Sequence, residues 1–308
     1  MNFDEEQVIA AVAAIFGTSH KGVPVGIGDD GAVVETSNKS VVTTDMAVEG
    51  THFNTGWSGA FEIGRKITAA NCADIYAMGG TPQYLVVALA LTGNESMEWI
   101  EELAGGIAHE AKSVGAVVVG GDLARAHTKV ISMSAFGSVK NPILRSGAKP
   151  GDRIYCSSLP GWSAAGYLLL NSASTLESDS SQYARDEFCA PTLDYGVAQD
   201  WIYAKANSMC DVSDALVIQA QQMSHDSSVK FIFDKDKFAS HPEFNQMAEL
   251  ADALDADPWQ WIFSGGEDHV FLATGKDLDG FEVGRVEAGS GIEGLEMKKA
   301  PDTWRHFN

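Results

Sequence analysis

Near the start of the chain apolar residues recur at helical spacing, at Val8, Ile9, Val12, Ile15 and Phe16, and Gly17 follows them. That spacing predicts an amphipathic helix over 4–16, with glycine as its stop. The pattern then shortens. β-rich runs at 32–34 and 41–44 precede a helix-period stretch over 58–78, a strand over 84–91, a helix over 96–113, an apolar strand over 116–119 and a strand over 129–136. Asn141-Pro142 to Gly151-Asp152, with Pro150 inside it, reads as a junction between domains. The alternation resumes with strands over 153–156, 229–233, 270–273 and 282–286, and helices over 163–171, 193–206, from 214, and 243–254. The serine-rich, acidic stretch 172–181 reads as a loop. Two domains are expected, 1–142 and 143–308, in the α/β or α+β class with mixed sheets flanked by helices.

Composition narrows the function. With 308 residues, of which 45% are hydrophobic, the chain can bury two cores of ordinary size. Its 42 acidic side chains against 21 basic ones give a formal charge of −21, which repels nucleic acid and anionic membrane. The same acidity suits a phosphate ligand when a divalent metal intervenes, since carboxylates hold Mg²⁺ and Mg²⁺ bridges to phosphate oxygens. Cys72, Cys156, Cys189 and Cys210 lie far apart, with no Cys-x-x-Cys, as expected of reduced thiols rather than a zinc or disulfide framework. The opening Met-Asn-Phe-Asp-Glu-Glu has no basic region or apolar run, so the expected location is the cytoplasm.

The candidate chemistry lies in acidic turns. Gly26-Ile27-Gly28-Asp29-Asp30-Gly31 spells a dinucleotide fingerprint, but a strand-like Ala32-Val33-Val34 follows where that motif requires a helix. It is either a hairpin turn or, with metal between its aspartates and a phosphate, a binding loop. Thr43-Thr44-Asp45, with His52 seven residues after the aspartate, is a hard-oxygen set or simply a strand end. Asn71 and Asp74 share a helix face crowded by small residues, where a carboxylate without a partner would be costly. Gly120-Gly121-Asp122 follows the apolar run Ala116 to Val119, and reads as a tight turn or as backbone able to approach phosphate. Asp211-Val212-Ser213-Asp214 flanks a helix start, as caps or as ligands. Ser264-Gly265-Gly266-Glu267-Asp268 again sets acids beside a glycine turn, and Arg145 is a candidate phosphate partner at the junction. Lys and Arg are scarce in the acidic turns, which chance caps would not arrange. No Gly-x-x-x-x-Gly-Lys-Ser/Thr loop, His-Glu-x-x-His, Gly-x-Ser-x-Gly elbow or protein-kinase motif set is present.

In this order, from about residue 25 to the C-terminus, these motifs, with Arg145-Ser146-Gly147 to Gly151-Asp152 and Ser163-Ala164-Ala165-Gly166, resemble the thiamine-monophosphate kinase family. The resemblance implies a two-domain aminoimidazole-ribonucleotide synthetase-like fold, in which the N-terminal domain binds ATP and metal and forms a homodimer through its sheet. It implies transfer of the γ-phosphate of ATP to thiamine monophosphate, yielding thiamine diphosphate, with several Mg²⁺ ions and no covalent nucleophile. Carried over by position, Asp30, Thr44, Asp45, Asp74, Asp122, Asp211 and Asp214 match magnesium ligands. Gly121, Asp122, Arg145 and Ser213 match ATP contacts, and His52, Glu267 and Trp304 match substrate contacts. The chain departs from the family pattern at Leu123-Ala124, Trp162 and Ala215. Selenophosphate synthetase is disfavoured because no cysteine precedes Cys72, and the hydrogenase-maturation relative because the chain ends Phe307-Asn308. A non-catalytic acidic ion-binding protein would leave the glycine turns and Arg145 unexplained.

Overall fold

The computed structural model describes residues 5–23, 34–36 and 39–295. Asp30, Trp304 and the 26–31 loop lie outside them. The chain divides into two compact units: one takes in residues up to Tyr76 together with Gly80–Lys140, the other Ala77–Gly79 and the chain from Asn141 onward.

In the first unit, helices α1 (Glu5–Phe16), α2 (Ala60–Ala77) and α3 (Met97–Ser113) accompany strands β1 (Lys39–Val48), β2 (Thr81–Leu91), β3 (Val117–Arg125) and β4 (Val130–Val139). The strands form one mixed sheet in the order β1-β4-β2-β3, antiparallel except for the β2–β3 pair. Period-two alternation gives this sheet two unlike faces. Ile131, Met133 and Ala135 are fully buried on one face, where Ile75 of α2 comes so close to Gly137 that a Cβ there would lie 2.3 Å from its methyl group. The opposite face carries Val42 and Met46, 58% and 57% exposed, in the same rows as Phe136 and Ser132. Ser96 caps α3 by accepting from the Trp99 N–H, and α1 packs against α3 and β3.

The strand read over 116–119 continues through the glycine pair to Arg125, so Gly120-Gly121-Asp122 is not a turn at a strand end. The β2–β3 register shifts between Leu85 and Val86, so Val119 is an extra residue in the ladder. Glycine is required at 121 because a Cβ would sit 2.0 Å from the Val87 carbonyl oxygen.

The second unit holds β5 (Arg153–Cys156), α4 (Trp162–Asn171), α5 (Asp179–Cys189), α6 (Tyr195–Tyr203), β6 (Ser208–Val212), α7 (Leu216–Ser227), β7 (Lys230–Phe233), α8 (Lys235–Ala239), α9 (Phe244–Ala253), α10 (Pro258–Ser264), β8 (Val270–Gly275), β9 (Phe281–Glu287) and β10 (Gly291–Glu293). Its sheet runs β10-β7-β9-β5-β8-β6. Strands β6 and β8 are buried along their whole length, so neither alternates between buried and exposed positions. Phe231, Phe233, Phe238 and Phe263 join the core beside Trp162 and Trp261, with the Phe238 and Phe263 rings edge-on at 5.4 Å. All four cysteines are buried. Among the described residues no helix is long and apolar enough to cross a membrane.

Candidate active site

In the first unit, alternation along β1 decides which side chains can meet. The Thr43 hydroxyl donates to Asp74 Oδ2 at 2.6 Å, a short charge-assisted bond that ties β1 to α2. Asp45, two residues on, shares that helix-covered face, in the row of the fully buried Met133. Thr44 points the other way. Its hydroxyl donates to the Met133 carbonyl at 2.9 Å and accepts from Ser134 Oγ at 3.1 Å. One turn before Asp74, Asn71 spends its amide N–H on the Ile67 carbonyl, 2.8 Å away, while its buried Oδ1 has no hydrogen-bond partner among the described residues.

The paired rows put Asp122 beside Ala88, Ser132 and Met46, on the face opposite Asp45. β1 and β3 are the two edges of the sheet. Three strand spacings of about 4.8 Å set Asp45 and Asp122 roughly 14 Å apart, too far to share one ion within this unit. The structure therefore puts Asp45 on the sheet face where Thr43 bonds Asp74, and leaves Thr44 and Asp122 on the other side. Thr43, rather than Thr44, is the hydroxyl that serves Asp74, and the two-residue period of the strand was the signal for it.

His52 follows β1 in a tight loop. The Val48 N–H donates to His52 Nδ1 at 3.1 Å, and the His52 N–H returns to the Val48 carbonyl at 2.9 Å. A ring nitrogen that accepts from a backbone N–H carries no proton, so the neutral ring bears its hydrogen on Nε2. The loop is pinned further by Glu49, which accepts from Lys129 Nζ at 3.0 Å and from the Thr55 hydroxyl at 2.8 Å. These two donors hold the Glu49 carboxyl below the usual carboxylate range although burial pushes the other way.

In the second unit, the loop after α10 lies along the end of β6. The Glu267 N–H donates to the Ser213 carbonyl at 2.7 Å and the His269 N–H to the Val212 carbonyl at 3.0 Å. His269 Nδ1 also meets Asp211 Oδ2 at 3.1 Å, with both side chains buried. Gly266 sits so close that a Cβ would come within 2.5 Å of the Asp214 carbonyl oxygen. Glu267 and His269 both take left-handed backbone conformations, φ 68° and 52°, at a cost of about 1–3 kcal/mol each that the surrounding bonds must offset. Between them the buried Asp268 carboxylate accepts from the Gly161 and Ser163 N–H groups at the start of α4, both at 2.9 Å. Burial pushes this carboxyl up to about 7, against the pull of those two N–H bonds.

Helix α7 connects two further positions. Its Gln219 accepts from the Ala215 N–H at 3.0 Å, completing the helix start, and donates to Asp214 Oδ2 at 3.4 Å. Gln222 accepts from Arg145 Nη1 at 3.0 Å, and the Ser227 hydroxyl donates to the Arg145 carbonyl at 2.9 Å. Arg145 is exposed in a short 3-10 turn, Arg145–Gly147, and Ser213 is half-buried between Asp211 and Asp214.

These donors suit magnesium, which takes oxygen ligands and keeps several waters. Carboxylates, hydroxyls and the orphaned Asn71 Oδ1 are all of that kind. Among the described residues no three His, Cys, Asp or Glu side chains gather closely enough to cage an ion.

The AIR synthase related protein, N-terminal domain, family matches residues 28–139. The thiamine-monophosphate kinase of Corynebacterium glutamicum is 35% identical over 296 residues, covering 91% of this chain and 88% of that protein. That of Mycobacterium tuberculosis is 36% identical over 254 residues, covering 82% and 74%. Among solved structures, AaThiL complexed with AMPPCP and TMP matches with a TM-score of 0.78 at 28% identity, over 98% of this chain and 97% of that one. The sheets, the order of the acidic turns and this similarity over nearly the whole length agree: the chain has the AIR synthase-like fold and belongs to the thiamine-monophosphate kinase family.

Proposed function

We infer that this chain transfers the γ-phosphate of ATP to thiamine monophosphate, giving ADP and thiamine diphosphate, the last step in making the diphosphate. The observation that carries the reaction is the 35% identity to a thiamine-monophosphate kinase over 91% of the chain. Fold alone would not suffice, because one fold hosts many substrates. A terminal phosphate oxygen of the substrate attacks the γ-phosphorus in line, the bond to the β–γ bridging oxygen breaks, and ADP leaves. No covalent enzyme nucleophile takes part, so the protein's work is to position two polyanions and offset their repulsion.

Several Mg²⁺ ions, held by Asp30, Thr44, Asp45, Asp74, Asp122, Asp211 and Asp214, supply that neutralising charge. Thr44 is the member of this set whose hydroxyl is already engaged within the sheet. The backbone at Gly121, Asp122 and Ser213, with the guanidinium of Arg145, receives ATP. His52 offers a fixed Nε2–H donor to the substrate, with Glu267 and Trp304 as further contacts. Residues 1–142 form the ATP- and metal-binding domain, which pairs with a second copy, and 143–308 the second α/β domain. The exposed Val42 and Met46 side chains on one face of that sheet support the homodimer, because a second copy covering them would remove their apolar surface from water. The enzyme works in the cytoplasm.

The deciding experiment is a coupled ADP-release assay with ATP and Mg²⁺, comparing thiamine monophosphate with thiamine. ADP formation that requires thiamine monophosphate and yields thiamine diphosphate is expected. Silence with thiamine monophosphate, alongside metal-dependent ATP binding, would overturn the substrate.

A further inference from the structure

We propose that Asp268 is a positioning residue for substrate binding: by capping α4 from a distant loop, its carboxylate holds Glu267 in the conformation that meets thiamine monophosphate. The inference rests on the reading of Glu267 as a substrate contact.

Helix α4 begins without a cap of its own. Its first flanking residue is Gly161, with φ 114° and no side chain to accept from the exposed N–H groups. A serine or aspartate cap is excluded in that place, since the backbone is left-handed and a Cβ would lie 2.9 Å from the Ile262 nitrogen. The acceptor instead comes from 107 residues along the chain, one Asp268 oxygen taking the Gly161 N–H and the other the Ser163 N–H. Such a cap does more than finish a helix. It ties the middle of the 264–269 loop to α4, while Glu267 N–H to Ser213 and His269 N–H to Val212 tie its two flanks to the end of β6. Glu267 and His269 keep left-handed backbones on either side, which unconstrained L-residues leave readily. A carboxylate buried at the positive end of a helix crosslinks that helix to the loop that carries it. Glu187, His269 and Tyr183 are titratable groups that face Asp268.

The test is kinetic, at pH 8, with the full chain. Asp268→Asn keeps one acceptor oxygen and turns an N–H toward the other donor. It is expected to raise the KM for thiamine monophosphate at least tenfold while the KM for ATP stays within twofold. Glu267→Gln should raise the same KM, and the double variant should be no worse than Glu267→Gln alone, because Asp268 acts through Glu267. A KM for thiamine monophosphate unchanged in Asp268→Asn, with only a lower melting temperature, overturns the proposal and leaves a plain helix cap. Additive losses in the double variant overturn it as well. An unchanged KM in Glu267→Gln removes the reading of Glu267, and the proposal with it. Should Asp268→Asn fail to fold, hydrogen exchange on the wild-type chain decides. Thiamine monophosphate should slow exchange at the Gly161 and Ser163 amides together with residues 265–269, and slowing confined to the loop refutes the link.

Discussion

Replacing Asp74 by asparagine separates the chemistry of the first unit from its folding. The 2.6 Å bond from the Thr43 hydroxyl to Asp74 Oδ2 is charge-assisted and contributes about 1.5–3 kcal/mol, whereas a neutral amide acceptor in its place contributes about 0.5–1.5. The stability cost of Asp74→Asn is therefore on the order of 1 kcal/mol, a fall in melting temperature of roughly 2–4 °C for units of this size. Against a typical stability of about 5–15 kcal/mol, that leaves the unfolded fraction negligible. On the proposed assignment of Asp74 to a phosphate-neutralising Mg²⁺, loss of its carboxylate is of another scale, about 10²–10³-fold in turnover, by analogy with removal of a single transition-state contact. The assay pairs ADP release at saturating thiamine monophosphate with a thermal melt and with Mn²⁺ binding followed by electron spin resonance. Asp74→Asn should melt within a few degrees of the parent, bind Mn²⁺ more weakly and turn over at least 100-fold more slowly. Thr43→Val keeps the charge and should lose about tenfold or less. Turnover of Asp74→Asn within threefold of the parent, in a folded preparation, would refute the assignment of Asp74 to metal.

Other predictions concern the loop, the open sheet face and pH. Gly266→Ala places a Cβ 2.5 Å from the Asp214 carbonyl oxygen and 2.7 Å from that of Ser213, so it should destabilise by about 1–3 kcal/mol and depress activity further than a melt accounts for. Val42→Glu with Met46→Glu should halve the mass seen by light scattering if a second copy covers that face, and an unchanged dimer mass would place the interface elsewhere. The folded Asp268 carboxyl is raised to about 7 from an ordinary value of 3.8, so the folded state holds more protons between those values. Its contribution to stability is fully present below the lower value and is lost as pH rises toward 7. The urea midpoint should therefore fall between pH 5 and pH 7.5 more steeply in the parent than in Asp268→Asn, and parallel slopes would contradict it.

Much of the fold was legible in the pattern of the chain, because a long helix such as α3 keeps one buried face in register with 3.6 residues per turn. Short and atypical elements were not. Segment 172–181 reads as a loop from its serines, yet Ser178 and Ser181 form a reciprocal capping box that starts α5. Asp257 and Pro258 mark the start of α10 by the ordinary cap-and-proline rule, but seven residues are too few to display a period. Strand β6 escaped because Ser208 and Asp211 interrupt its three apolar residues, and the Asp211 carboxylate is accommodated there by His269, 58 residues away in sequence. The candidate site was legible as residue types, because acidic turns stand out against scarce basic ones. Which face each acid occupies depended on register, as the separation of Thr44 and Asp122 from Asp45 illustrates.

Helix α7 has a consequence for how this enzyme can change. Gln219 and Gln222 stand on adjacent positions of one helical face, the first touching Asp214 and the second holding Arg145. A substitution in the core beneath α7 that slides or rotates the helix disturbs the aspartate and the arginine at the same moment. On the proposed assignment of Asp214 to metal and Arg145 to ATP, evolution, or a designer, can then retune nucleotide affinity and metal affinity separately only by exchanging the end groups themselves. Mutations that reshape α7 move along a single axis, and variants selected for weaker metal dependence through them should carry altered nucleotide affinity as an inherited side effect.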